Sequence, residues 1–132
     1  MKYKNPLPLI GKTRLTKELL NYFNDAINII WIEADEHYII FHMTYGDSDL
    51  IECRMEDALL MLDAVKFIRT DRSNIINLDK ADHYGRHYNG LTVVMKCGKK
   101  IPVASGERKE EFEERVKPMT WIVKYKGRIS RE

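Results

Sequence analysis

The segment from Phe67 to Asn77, FIRTDRSNIIN, places charged and hydroxyl side chains inside a run that is otherwise apolar and strand-prone. Guanidinium groups such as those of Arg69 and Arg72 neutralise phosphates and donate paired hydrogen bonds to guanine. The carboxylate of Asp71 can accept a hydrogen bond from cytosine, although it would repel phosphate. The side chains of this segment therefore predict recognition of a nucleic acid.

Polar side chains of the same kinds recur at other breaks between apolar runs, and loop tips on a rigid β scaffold often carry recognition residues. For each lysine or arginine, the alternative is a role in solubilising the surface. The candidate nucleic-acid-binding residues are His37, Arg69, Thr70, Asp71, Arg72, Ser73, Lys99, Lys100, Ser105, Arg108 and Lys109.

Positive charge is concentrated in the second half of the chain. The formal net charge is only +2, but residues 32–63 hold nine acidic side chains and one basic side chain, Arg54. Residues 66–109 hold ten lysines or arginines and four acidic side chains. This half is a candidate surface for attracting anions. The alternative is a solvated surface of mixed charge on which the two halves fold together.

Motifs for catalysis or metal binding are weak by comparison. His83 and His87 would share a face on a helix, but Gly85 and the flanking tyrosines favour a strand, where four residues span roughly 13 Å. Asp47 and Asp49 lack the glycine and the distal glutamate of a calcium loop. The sequence contains no phosphate-binding loop, nucleophile elbow or zincin helix. We therefore expect no enzymatic activity, no metal and no cofactor.

Length and composition favour one globular domain. The 132 residues suffice for a single core, and 44% hydrophobic with 32% charged residues is ordinary for a globular protein. Cys53 and Cys97 cannot form a disulfide framework or a zinc site, so we expect reduced thiols with the usual preference for burial. No apolar run approaches the ~20 residues of a membrane span, and the basic start is interrupted by proline. A cytoplasmic protein without a membrane partner is expected.

Short strands are predicted over much of the chain, because runs rich in isoleucine, tyrosine, phenylalanine and tryptophan are bounded by polar turns. We expect a turn at Gly46-Asp47, and Asn89-Gly90 is a strong signal for a tight hairpin. A further hairpin has a basic tip at residues 97–100. The predicted strands are 27–34, 37–45, 49–54, 66–71, 73–78, 81–88, 91–96 and 100–105.

Helices are predicted where the apolar spacing changes. Met55, Leu59 and Leu62 follow the i, i+4, i+7 pattern of a short amphipathic helix. Residues 107–117 predict a charged helix that Pro118 stops.

The two ends of the chain are less decided. Residues 14–25 favour a helix over a strand, and residues 120–130 could add an edge strand. The resulting fold class is mostly β, with antiparallel sheets and two or three short helices.

This order of elements resembles the LytTR DNA-binding domain, found in bacterial response regulators of the LytR/AlgR/AgrA class, over residues 25–117. The resemblance is carried by IEADEHY at 32–38, FIRTDRSNIIN at 67–77 and KKIPVAS at 99–105. Three matches in the right order, with the right elements between them, are more specific than any one alone. The implied organisation is an N-terminal extension at 1–24, the LytTR-like domain at 25–118 and a C-terminal tail at 119–132.

The resemblance implies a transcriptional regulator of a two-component system that inserts loops, not a recognition helix, into successive grooves of double-stranded DNA. His37 then falls on the first contacting loop, Arg72 and Ser73 on the family's Arg-Ser pair, and residues 105–109 on the third contacting segment. The implied partner is DNA with paired direct-repeat sites, bound by monomers or by a weak homodimer.

Some positions depart from the family pattern. Asp71 replaces the usual histidine, and Ala104 and Gly106 stand where polar contacts are expected. One alternative is therefore a LytTR-like scaffold that acts as a protein-interaction or regulatory module without strong DNA binding. Another is a binder of single strands or RNA, with three tyrosines as stacking platforms. These tyrosines are Tyr45, Tyr84 and Tyr88.

Overall fold

The computed structural model describes residues 8–130, so residues 1–7 of the predicted extension and 131–132 of the predicted tail lie outside it. The fold is mostly β, as predicted. Its strands are β1 (Leu9–Ile10), β2 (Thr13–Arg14), β3 (Ile29–Asp35), β4 (Tyr38–Met43), β5 (Gly46–Asp47), β6 (Ile51–Glu52), β7 (Phe67–Asp71), β8 (Asn74–Asn77), β9 (Ala81–His87), β10 (Gly90–Met95), β11 (Lys100–Val103) and β12 (Val123–Arg128). Its helices are α1 (Lys17–Asn24), α2 (Met55–Leu60) and α3 (Glu107–Val116), with short 3-10 helices at Ala26–Asn28 and Leu78–Lys80.

A six-stranded antiparallel sheet forms the middle of the fold. Its order is β5-β4-β3-β8-β7, and β6 also pairs with β4. Every residue of the central strand β8 is buried. Because successive side chains of a strand point to opposite faces, Ile75 and Ile76 belong to two different hydrophobic clusters. The apolar run of the FIRTDRSNIIN segment therefore reflects a strand that is covered on both faces.

Different elements pack against the two faces of this sheet. On the Ile75 face, Leu19 and Phe23 of α1 pack in one cluster with Met55 of α2. On the Ile76 face lie a second sheet and helix α3, whose Phe112 and Val116 are buried in the other cluster.

The second sheet has the order β11-β10-β9-β12. The predicted strand in the tail is confirmed as the edge strand β12, but it pairs with β9 in parallel and not antiparallel. A parallel neighbour requires a crossover connection, usually a helix. Helix α3 supplies that crossover, because it leads from β11 over the sheet to β12.

The turn predicted at Gly46-Asp47 lies two residues earlier. Met43 pairs with Gly46, so residues 44–45 form the turn, and Gly46-Asp47 is the short strand β5. The single strand expected at 49–54 is reduced to β6 at Ile51–Glu52.

The Asn89-Gly90 hairpin exists, but its turn is shifted by one residue. Gly90 pairs with His87, so the turn residues are Tyr88 and Asn89, and Tyr88 has a φ of 52°. A Cβ atom on Gly90 would lie 2.5 Å from the carbonyl oxygen of Val103. Glycine is therefore required here because the neighbouring strand comes close, not because of the turn.

The three helices confirm the predicted helical segments. Helix α1 begins after Thr16, whose hydroxyl oxygen accepts a hydrogen bond from the Leu19 N–H at 3.2 Å. Helix α2 ends at Leu60, so it is shorter than the predicted apolar pattern, which extended to Leu62. None of the helices within residues 8–130 has the length and apolarity needed to cross a membrane.

The two cysteines differ in exposure. Cys53 is buried, and burial raises the pKa of its thiol to about 11. Cys97 is exposed at the tip between β10 and β11, so the expected preference for burial holds for only one of them.

Replacing Phe112 with alanine should lower the free energy of unfolding by about 3–5 kcal/mol, because it removes a fully buried aromatic side chain. The ring of Phe112 also meets that of Tyr84 edge to face, with centroids 5.1 Å apart. Glu110→Ala, an exposed change on the same helix, is the control and should stay within about 0.5 kcal/mol. Urea denaturation measures both. Similar small losses would contradict the packing of α3 against the second sheet.

Candidate nucleic-acid interface

A β-bulge in β7 is the first element of the candidate site. The pairing of β7 with β8 shifts register between Arg69 and Asp71, at Thr70. A bulge leaves backbone groups of the extra residue outside the ladder. The carbonyl oxygen of Thr70 instead accepts a hydrogen bond from the backbone N–H of Ala104, at 2.9 Å. This bond joins the six-stranded sheet to the segment that leads from β11 into α3.

The two-residue turn that follows β7 is braced by side chains on both sides. The Asp71 Oδ1 atom accepts hydrogen bonds from the Ser73 backbone N–H at 2.8 Å and from Asn74 Nδ2 at 2.9 Å. The Arg69 guanidinium donates to the carbonyl oxygens of Asp71 at 3.1 Å and Arg72 at 2.7 Å. Asp71 and Arg69 therefore stabilise the conformation of this turn.

Arg72 and Ser73 occupy the tip of the turn, and both are exposed. Within residues 8–130, the Arg72 guanidinium has neither a carboxylate partner nor a hydrogen bond. Asp71, the nearest carboxylate in sequence, is engaged with Ser73 and Asn74 instead. The five donors of the Arg72 guanidinium are therefore free to bind a ligand.

Thr70 is among the residues predicted to contact nucleic acid, but its side chain does not lie at the surface. The residue is fully buried, since the bulge turns it toward the interior. Its hydroxyl oxygen has no hydrogen-bond partner among the residues that the structure describes. The side chain of Thr70 therefore has no surface with which to contact DNA, and only its backbone contributes to the site.

Arg69 lies close enough to two other arginines, Arg108 and Arg72, for their charges to affect it. Partial burial lowers the pKa of the Arg69 guanidinium, and the positive charge of Arg108 lowers it further. Arg72 acts in the same direction, whereas Glu56 and Asp71 oppose it. We call Arg69, Arg72 and Arg108 the arginine cluster. Its mutual repulsion would be relieved by an anion.

The segment from Ala104 to the first turn of α3 forms the other side of the site. Gly106 has a φ of 85°, a conformation that favours glycine, so its departure from the family pattern has a backbone reason. Ser105 is exposed, and Arg108 is half-buried in the first helical turn. Backbone N–H groups at the start of a helix favour anions. Lys109 is turned away from the cluster, toward β9 and β12.

His37 lies at the same end of the central sheet but has different neighbours. The Ala34 N–H donates to the Ser73 carbonyl oxygen at 2.8 Å, which ties the end of β3 to the Arg72-Ser73 turn. His37 follows on the turn between β3 and β4, is exposed, and lines a cavity of about 700 Å³ with residues 12–14. Its chain neighbours Asp35 and Glu36 are exposed and acidic.

Lys99 and Lys100 are not part of the arginine cluster. They lie at the tip of the β10–β11 hairpin, and Ala104 lies beyond the other end of β11, about 13 Å away for four residues of strand. The Lys99 Nζ atom stands 5.2 Å from the centre of the Trp31 ring. The Lys100 Nζ atom donates to the carbonyl oxygen of Ser130 at 2.7 Å.

The three tyrosines considered as stacking platforms are dispersed. Tyr84 is buried against Phe112, so its ring faces cannot stack on bases. The Tyr45 hydroxyl donates to Asp25 Oδ2 at 2.8 Å. Only Tyr88 is both exposed and close to a cation, with Arg128 5.6 Å from its ring centre.

The bracing role of Arg69 and the contact through Ala104 were not found from the sequence. An arginine two residues before a turn carries no local signal for bonding to that turn's carbonyl groups. The Thr70–Ala104 bond joins residues far apart in the chain and depends on the bulge. The Asp71-x-Ser73 spacing did carry a signal, because an aspartate commonly accepts a bond from the N–H two residues on.

Thr70→Val should leave the free energy of unfolding unchanged or raise it by up to about 1 kcal/mol, because it removes a buried hydroxyl that has no partner in the described chain. Thr13→Val is the control, since the buried Thr13 hydroxyl donates a hydrogen bond to Asp57 Oδ2 at 2.7 Å that the change removes. Thermal unfolding compares the two. If Thr70→Val lowered the free energy of unfolding by about 2 kcal/mol or more, the Thr70 hydroxyl would have to be hydrogen-bonded.

Comparison with known proteins bears on this geometry. The family model described as the LytTr DNA-binding domain matches residues 21–117. No match was found in a search of curated proteins. A solved structure, the LytTr DNA-binding domain of a putative methyl-accepting/DNA response regulator from Bacillus cereus, is similar in fold, with a TM-score of 0.63 and 17% identity. The similarity covers 69% of this chain and 83% of that one. Since the family model matches more than half of the chain, the chain belongs to the LytTR DNA-binding domain family.

Proposed function

We propose that this protein binds double-stranded DNA in a sequence-specific manner and regulates transcription, using the loops that meet at the arginine cluster. The observation that carries the proposal is the Thr70–Ala104 hydrogen bond, which joins the strand that leads to Arg72 to the segment that leads to Arg108. Membership of a DNA-binding family supports the general class. The charge and exposure of this end support DNA over an apolar protein partner.

Arg72 is the residue proposed to recognise a base. It is exposed and has a free guanidinium, on a turn that Arg69 and Asp71 hold in one conformation. A guanidinium donates a pair of bonds to guanine O6 and N7, which is worth ~1–3 kcal/mol of discrimination. A braced turn loses little conformational entropy when it binds, so little of the binding free energy is lost in ordering it.

Phosphate contacts are proposed for the residues around it. Ser73 and Ser105 are exposed hydroxyl donors on the two facing loops. Arg108 lies in the first turn of α3, where the helix N-terminus adds favourable N–H groups. Contacts of this kind orient a protein on the duplex without reading its sequence. For Asp71 we propose a supporting role in the turn and no direct contact with cytosine.

The remaining candidates would contact the duplex farther out. His37 would contact the groove next to Arg72, because the Ala34–Ser73 bond holds both turns at one end. Lys99 and Lys100 are about 13 Å from Ala104, similar to the ~12 Å width of the major groove. We propose them as contacts to phosphates across that groove.

Binding to paired direct-repeat sites by two copies side by side is also proposed, with a monomer or a weak dimer in free solution. The exposed edge of β12 bears Lys124, Lys126 and Arg128. Pairing this edge with itself would bring like charges together, which is unfavourable. This charge supports weak association in the absence of DNA.

Arg72→Ala should relax base preference at one position of the binding site while leaving the thermal midpoint nearly unchanged. The duplex is obtained by selection from a random pool with the full chain, and affinities are measured for single-base variants. Arg69→Ala is the matched comparison. It should lower the free energy of unfolding by about 1–3 kcal/mol, because two turn carbonyls lose a charged donor.

Lys99→Ala should weaken binding to all duplexes about equally and reduce the salt slope by about one, as loss of a phosphate contact does.

Unaltered base preference in Arg72→Ala, together with a large loss of stability, would make Arg72 a structural residue. If the unmodified chain binds no duplex at low salt, the proposed function is wrong and the protein-interaction alternative takes its place.

A further inference from the structure

A groove of about 310 Å³ runs between helix α3 and the edge of the second sheet, on a different side of α3 from the arginine cluster. Its walls come from α3, β9 and β12. Four cationic side chains and one acidic side chain line it: Arg86, Lys109, Lys124, Lys126 and Glu113. Strand β12 lies outside residues 21–117, so the family match does not account for this groove.

The four cations of the groove outnumber its one carboxylate, that of Glu113. Within residues 8–130, none of the four takes part in an ion pair or a side-chain hydrogen bond. Other lysines and arginines of the chain do have such partners, for example Lys66 with Asp79 and Lys117 with Glu114. Cations that crowd together without partners favour an anionic ligand.

The groove is continuous with the proposed DNA interface. Lys109 follows Arg108 directly in the first turn of α3. Arg128 of β12 is in register with Arg86 of β9, and its guanidinium carbon lies 5.6 Å from the centre of the Tyr88 ring.

The turn that carries Tyr88 connects this side of the molecule to the α3 segment. A Cβ atom on Gly90, the residue after that turn, would lie 3.5 Å from the Ser105 backbone nitrogen. Cationic side chains therefore lie on both sides of the first turn of α3, with Arg108 on one side and Lys109 and Arg86 on the other.

We propose that this groove binds the phosphate backbone of the same duplex, beyond the bases that the loops recognise. The proposal rests on the proposed function. Three of the four lining cations are lysines. A lysine carries a compact charge on a flexible side chain, which suits phosphates better than base edges. The lining contains no asparagine or glutamine to recognise adenine. The contact is therefore independent of sequence and lengthens the footprint on DNA.

The test compares two double variants of the full chain. Lys124→Gln/Lys126→Gln removes two charges from the groove. Lys17→Gln/Lys66→Gln removes the same charge from exposed positions on α1 and just before β7, at the end of that strand away from the Arg72-Ser73 turn. Each protein is titrated at several salt concentrations with a duplex selected by the unmodified chain, in a short form and in a form extended by about 10 bp, one helical turn, on either side.

For the groove variant we expect a salt slope on the extended duplex that is smaller by about two, one for each lost phosphate contact, with base preference retained. We also expect it to lose the gain in affinity that extension gives the unmodified chain. The control should keep both the slope and the gain. Circular dichroism checks that all three proteins are folded.

An unchanged slope and gain in the groove variant, while the unmodified chain binds DNA, would overturn the groove proposal alone and point to an acidic protein partner. Equal losses in both variants would also overturn it, because a general charge effect would explain them. Failure of the unmodified chain to bind any duplex would refute the proposed function itself.

Discussion

The hydrogen bond between the Ala104 N–H and the Thr70 carbonyl oxygen is the contact on which the arrangement of the candidate site depends. It exists because the bulge at Thr70 takes that carbonyl out of the β7–β8 ladder. One backbone hydrogen bond contributes only about 1 kcal/mol to stability. Its importance is geometric, since it joins Thr70, just before the Arg72-Ser73 turn, to Ala104, just before α3, although the two residues are far apart in the chain.

The charge of that surface follows from the same contact. Arg69 is held under the turn by two carbonyl groups, which leaves it partly buried and close to Arg108. The carbonyl dipoles make this position tolerable for a cation, but they do not cancel its charge. Arg72 is exposed, whereas Arg69 is partly buried and bonded to the turn, so the arginine that supports the turn is not the one on its surface.

Local pattern was sufficient for the elements and for much of the core. Ile75 and Ile76 lie in a segment that was predicted as a strand, Phe112 and Val116 lie in a segment that was predicted as a helix, and all four are buried. Local pattern was not sufficient where distant segments meet. The burial of Thr70 follows from a β-bulge that no turn residue in the sequence predicts. The need for Gly90 comes from the approach of Val103, and the parallel pairing of β12 comes from the crossover through α3.

The candidate site was predictable only as a list of polar residues. The sequence placed Arg72 between two predicted strands and Arg108 at the start of a predicted helix, but how these segments meet depends on the packing of two sheets. The lysines of β12 were not predicted as site residues, because only the fold places them next to Arg86 and Lys109. Lys99 and Lys100 show the converse, since a basic tip in sequence lies away from the cluster in space.

The central claim, that the duplex binds across the Thr70–Ala104 junction, is tested most directly by following backbone amide signals in an NMR titration with the selected duplex. The account predicts the largest changes at Arg72, Ser73, Ser105 and Arg108, with small changes on α1 and α2. The largest changes on α1 and α2, with the junction unaffected, would contradict it.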